Sequence, residues 1–183
     1  MNKRIISGVV STVLVLILLT NGINTASAKN NLLSKKAQTV DQTAKAVFLI
    51  SRPNSGVILE KYTDATSLSD LELVELLKAV GFKGKGLRTA WAVAKAESNG
   101  RPLAYNGNSK TGDNSFGMFQ INMLGNLGPS RKDQFYLNSN AELFNPVRNA
   151  QIVFHMTKKG TNWSAWSSYI KGAYYKWLNK FPE

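Results

Sequence analysis

The chain has 183 residues, of which 23 are Lys or Arg and 11 are Asp or Glu, giving a formal net charge of +12, and it contains no cysteine. The absence of cysteine excludes a disulfide framework, a thiolate metal site and a lipid-modified cysteine anchor, so the folded part must rest on its own core. The basic excess favours polyanions, and no basic run interleaved with aromatic residues marks a nucleic-acid reader.

Lys3 and Arg4 precede a mostly apolar run from Val9 to Leu19, and Ala26-Ser27-Ala28 follows as a small-residue cleavage site. This is the form of a secretory leader over residues 1–28. The apolar run is shorter than the roughly 20 residues a spanning helix needs, which disfavours a retained anchor. Without Lys3 and Arg4 the exported part keeps 21 basic against 11 acidic residues, net +10. Outside a cell, the polyanions within reach are the carboxylates and phosphate polymers of the wall.

Residues 29–66 read as a lead or linker, partly disordered. Lys29 to Lys45 is polar, Ser51-Arg-Pro53-Asn54-Ser-Gly56 is a turn cluster, and Val57-Ile-Leu-Glu60 reads as a short strand or a connecting segment. From residue 67 to 183 helices dominate, and this stretch is expected to be one domain. Ser69-Asp-Leu-Glu72 is a capping box, the stripe from Leu71 to Val80 follows helical spacing, and Gly81 stops it. Asn145-Pro146 starts another helix, with Asn149, Ile152, Val153 and Met156 on one face and Lys158-Lys159-Gly160 at its end. Trp163 to Leu178 reads as a last helical region broken near Gly172.

Between these lies the segment with chemistry in it. Leu87 to Glu97 is a short apolar helix pattern, and Ser98-Asn99-Gly100-Arg101-Pro102 must end it. Ala90, Ala94 and Glu97 share a face, with Val93 one turn before the acid. A carboxyl so placed is partly desolvated, and the negative helix end pushes the same way, so its pKa should rise. An acid still protonated near neutral pH can donate a proton to a leaving group. From this helix alone, a glutamate that simply reaches water would look the same.

The following residues decide between the two. After Glu97-Ser98 come Pro102, Ala104 and Tyr105-Asn106, a polar loop to Asp113, and then Asn114-Ser-Phe-Gly117-Met-Phe-Gln120-Ile-Asn122. The order and spacing resemble the lysozyme-like superfamily, in particular the soluble-lytic-transglycosylase type. That type has a Glu-Ser pair ending a helix and then a Gly-x-x-Gln segment, here Gly117 to Gln120. Pro146-Val-Arg-Asn149-Ala150 is similar to the family's Pro-x-x-Asn-Ala helix start. Trp163 to Gly172 resembles its closing segment, with Tyr169-x-x-Gly172 near the cleft. The resemblance covers roughly residues 87 to 178.

It implies a mainly α, α+β lysozyme-like fold: a helical bundle around a glycan cleft, with a small loop or hairpin region. It also implies an enzyme that cleaves the β-1,4 bond between N-acetylmuramic acid and N-acetylglucosamine in peptidoglycan. Glu97 would be the general acid and base. Ser98 would fix its orientation, and Ser98, Gln120 and Tyr169 would serve substrate binding. Partners would be glycan strands and anionic wall polymers, with no nucleic acid, no cofactor, no metal and a monomeric enzyme in the envelope or outside the cell. The sole histidine, His155, lacks the spacing of a zinc site and sits on a helix whose neighbours read as core, which argues against a triad role.

One departure matters. Animal-type lysozymes have their second catalytic carboxylate directly before the aromatic-Gly pair, and here that position is Ser115, with Asp113 two residues earlier. Retaining glycosidases generally need two carboxyls close together. The single-glutamate transglycosylase scheme, with a 1,6-anhydro product, therefore resembles this chain better. The alternatives are hydrolysis by the same glutamate with an activated water, and a wall-binding or virion structural protein without turnover.

Overall fold

A computed structural model describes residues 34–35, 53–108 and 110–182; the leader and most of the lead segment lie outside the described residues. Seven α-helices, one 3-10 helix and a three-stranded sheet follow in chain order from Pro53. The fold is mainly helical with a small β region, as the resemblance implied.

Helix α1 spans Pro53–Tyr62, where the sequence suggested a turn cluster followed by a short strand or a connecting segment. Pro at a first helical position costs nothing, because that N–H has no intrahelical partner anyway. Tertiary packing then outweighs the turn-forming Asn54, Ser55 and Gly56. Leu59 and Tyr62 are buried in the core, and the Tyr62 hydroxyl donates to Glu75 of the next helix.

Helix α2 spans Asp70–Val80 with the expected capping box: Glu72 N–H donates to Ser69 Oγ, and Ser69 N–H to Glu72 Oε2 at 2.9 Å. Gly81 ends it at φ 122°. Leu73, Leu76 and Leu77 are nearly or fully buried. Helix α3 spans Gly84–Ser98 and is the axis of the fold, since Ala90, Trp91, Ala92, Val93 and Ala94 are all fully buried. A helical stretch apolar on every side, as Ala90 to Ala94 is, belongs inside. Its alanines allow close neighbours: α2 packs on one side, and the C-terminal helices on another. Asn99 ends it in the left-handed conformation, φ 60°.

Then comes the sheet, of β1 (Tyr105–Asn106), β2 (Ser115–Phe116) and β3 (Ile121–Asn122), antiparallel in that order. Helix α4 (Leu127–Phe135), which no sequence pattern announced, and a 3-10 turn (Asn140–Phe144) lead to α5 (Pro146–Met156). Helix α5 starts as expected, with Asn145 Oδ1 accepting from Arg148 N–H at 3.0 Å. Two short helices, α6 (Ser167–Ile170) and α7 (Tyr175–Leu178), make up the last helical region, and Gly172 at φ 77° makes the expected break between them.

Candidate active site

Glu97 sits in the last turn of α3, half-buried in a cleft of about 250 Å³. Asn106, Asp113, Ser115, Gln120, Arg131 and Trp166 are among its walls. Burial pushes the Glu97 carboxyl above its ordinary pKa, the Asp113 charge adds to the rise, and the Ser168 hydroxyl and N–H oppose it. That Ser168 hydroxyl is buried and makes no other hydrogen bond among the described residues. Burial is the cause the apolar face of the sequence suggested.

The sheet supplies a polar wall. Asn106 pairs with Ser115, and Ser115 with Asn122, so these three form one cross-strand row, and all three line the cleft. The other row is Tyr105, Phe116 and Ile121, and its Phe116 packs edge-on against Phe144 at 5.5 Å. Ser115 is thus on the cleft-facing row, where no carboxylate stands. Asp113 does reach the cleft, from the loop, with Oδ2 accepting from Thr111 Oγ1 at 2.7 Å.

Residues 116–120 run from β2 to β3 and form a buried floor behind the cleft, with Gln120 lining the cleft itself. Four consecutive carbonyls there each accept a side-chain hydrogen bond, and each donor comes from a different residue. Phe116 O takes Asn149 Nδ2 at 3.1 Å, and Gly117 O takes Gln120 Nε2 at 2.9 Å. Met118 O takes Ser98 Oγ at 2.7 Å, and Phe119 O takes Trp166 Nε1 at 2.9 Å. Asn149 is fully buried, and its Oδ1 also accepts from Phe119 N–H at 3.1 Å. Gly117 is required twice over: its φ is 74°, and a Cβ there would lie 2.2 Å from both Asn149 Nδ2 and Leu143 O.

The residues singled out in the sequence divide accordingly. Glu97 and Gln120 both line the cleft. Gln120 spends its amide N–H groups on Ala104 O and Gly117 O, which leaves its Oε1 as the end free to meet a ligand. Ser98, expected to orient Glu97 and to bind substrate, is 6% exposed and is not among the cleft-lining residues. Its hydroxyl instead ties the end of α3 to Met118 O, so it positions the floor relative to the acid. Tyr169 is also absent from the lining; it stacks on Tyr174, with ring centroids 4.7 Å apart. His155 meets Phe135 edge-on at 5.5 Å.

Ser168 and Arg131 join the site without any signal in the sequence. Arg131 donates to the Asn122 carbonyl from α4, and Ser168 lies at the start of α6. Both arrive by tertiary placement alone. A larger hollow, about 540 Å³, lies beyond the 99–104 loop, but its one buried charge, Lys95, is already paired with Asp70 at 2.8 Å. Chemistry therefore favours the smaller cleft.

A family model described as a lysozyme-like domain matches residues 74–168, just over half of the chain and all of the cleft floor. Among curated proteins and among solved structures, nothing matches.

Proposed function

This chain belongs to the lysozyme-like domain family, a peptidoglycan-acting class of glycosidases and transglycosylases, and we propose that it is a lytic transglycosylase in which Glu97 works alone. The observation that carries the reading is the half-buried Glu97, held above its ordinary pKa, facing a strand row where Ser115 stands in place of a carboxylate.

In this reading the protonated Glu97 gives its proton to the glycosidic oxygen between N-acetylmuramic acid and N-acetylglucosamine, and the C1–O bond breaks. The resulting carboxylate takes the proton from the muramic acid 6-hydroxyl as O6 bonds to C1. Proton and electron pair balance, no water is consumed, and a 1,6-anhydro end results. The 6-hydroxyl is part of the same sugar, so its effective concentration is high. Gln120 Oε1 and the Asn106–Ser115–Asn122 row would meet the acetamido and hydroxyl groups of the glycan. Ser98 and Asn149 would hold the floor in register with the acid. No metal or organic cofactor enters the scheme. The enzyme would act as an exported monomer after removal of residues 1–28, on glycan strands in a wall rich in anionic polymers.

A second reading, hydrolysis, is favoured by one observation: Asp113 reaches the same cleft and lies near enough to raise Glu97. It could orient a water for attack on the far side of the sugar. Digestion of purified peptidoglycan in heavy-oxygen water separates the two. The transglycosylase reading expects anhydro ends without label. Reducing ends that carry one heavy oxygen would establish hydrolysis instead.

A further inference from the structure

The charge of this protein is unevenly placed. Between Glu75 and Glu97 the sequence has no acidic residue but five Lys or Arg; between Glu142 and Glu183 it has none but six. The fold brings these two stretches together. Gly86 faces the Gly160 carbonyl so closely that a Cβ on Gly86 would lie 3.2 Å from it. Phe82 packs on Phe154 at 4.9 Å and on Trp163 at 6.3 Å. Arg88 donates to the Leu178 carbonyl at 3.3 Å and covers the Phe181 ring.

The consequence is a surface at the start of α3 carrying Lys83, Lys85, Arg88, Lys158 and Lys159, all exposed. Among the described residues the ion pairs are Lys61–Glu75 and Lys95–Asp70, and neither involves this surface. Lys83 and Lys85 also sit against local preference. A helix N-terminus carries partial positive charge and favours acids, yet the first turn of α3 has no acid, and Lys83 stands at its cap. Lys158 and Lys159 are adjacent like charges held at φ 50° and 64°, where side chains other than Gly and Asn are disfavoured. The unpaired lysines at the start of α3, with no acid opposite them, point to a function outside the fold.

We propose that this surface docks a phosphate-bearing polyanion, the repeating phosphodiester polymer of a cell wall. A polymer with a permanent charge at every repeat can follow several fixed cations at once, which isolated carboxylates of a peptide stem cannot. Lys85 and Glu97 are twelve residues apart on one helix, about 18 Å at the ordinary rise, so the docking end and the cleft are at opposite ends of α3. Anchoring there leaves the cleft open to glycan. That the polymer belongs to the wall rests on the proposed peptidoglycan substrate; binding of the polymer does not depend on catalysis.

The test is the affinity of the protein for purified poly(glycerol phosphate) at low salt. Two patch variants, Lys83→Gln/Lys85→Gln and Lys158→Asn/Lys159→Asn, are compared with Lys61→Gln/Lys110→Gln, which removes the same charge elsewhere. Asn suits the left-handed positions. Each patch variant should bind at least ~5-fold more weakly, the scale expected for losing two cations from an anionic surface contact. The control should change by less than ~2-fold. Should one patch pair fail to fold by circular dichroism, the other decides. Glu97→Gln should bind the polymer as the parent does, so that a wrong catalytic assignment and a wrong docking surface give different results. Equal loss in patch and control variants would mean diffuse net charge, and tighter binding of single-stranded DNA would mean a nucleic-acid surface; either overturns the proposal.

Discussion

The floor of the cleft and its loop wall are built in opposite ways. Residues 116–120 are fixed from outside by Asn149, Ser98 and Trp166 and from within by Gln120, and Phe116 to Phe119 are buried. The loop from Asn106 to Asp113 is mostly exposed and closed by its own short turns, such as Thr111 N–H to Asn108 O at 3.2 Å and Lys110 N–H to Asn108 Oδ1 at 3.0 Å. Glu97 stands between them. The difference teaches where precision is needed. An acid and base that must first give and then retake one proton needs a fixed floor beneath the sugar. The loop wall is free to vary, and it carries Asp113, the residue on which the choice between a sugar hydroxyl and a water turns.

If that contrast holds, damage to the floor should be structural and large. Gly117→Ala asks for a methyl where Asn149 and Leu143 already lie, at a backbone angle that disfavours it, and should cost about 4 kcal/mol in chemical denaturation. Asn149→Ala strands the Phe119 N–H and the Phe116 and Leu143 carbonyls in the core. It should cost about 3 kcal/mol by the same measurement, and kcat should fall with the loosened floor. Ser98→Ala removes the buried bond to Met118 O, a longer one to Ala94 O and the acceptor of the Arg101 N–H, for about 2 kcal/mol in the melting transition, with a modest loss of rate.

The loop wall should respond differently. Asp113→Asn should change stability by less than ~0.5 kcal/mol, as for other partly exposed surface changes. Its signature is in the pH profile. The Asp113 charge disfavours ionised Glu97, so its removal lowers the Glu97 pKa and moves the alkaline limb of activity to lower pH. A loss of ~100-fold or more at every pH would instead make Asp113 a partner in the chemistry, as hydrolysis requires.

Much of this fold was legible because its signals are local. The Ser69–Glu72 capping box, the Gly81 stop, the Asn145-Pro146 start and the end of α3 after Glu97 each depend on a few neighbouring residues. Helix α1 was not, because its local residues favour a turn and only the burial of Leu59 and Tyr62 makes it a helix. In the site, Glu97 and Gln120 were visible from spacing. Ser98 is turned to Met118 O and Tyr169 to the Tyr174 ring, contacts that spacing does not give, since it tells which residues recur together and not which way a side chain faces. Ser168 and Arg131 could not be found at all: they reach the cleft from helices distant in sequence.

The most direct test of the central claim is Glu97→Gln, followed in both cleavage and melting temperature across pH. Folded Glu97 keeps its proton to higher pH than the unfolded chain does, so its ionisation costs folded-state stability as pH rises. The amide carries no such cost and cannot move a proton. The account predicts at least ~100-fold loss of peptidoglycan cleavage, together with a melting temperature above the parent's at neutral pH and a gap that closes as the parent's glutamate is protonated. A variant that still cleaves at the parental rate, with its circular dichroism spectrum unchanged, would contradict it.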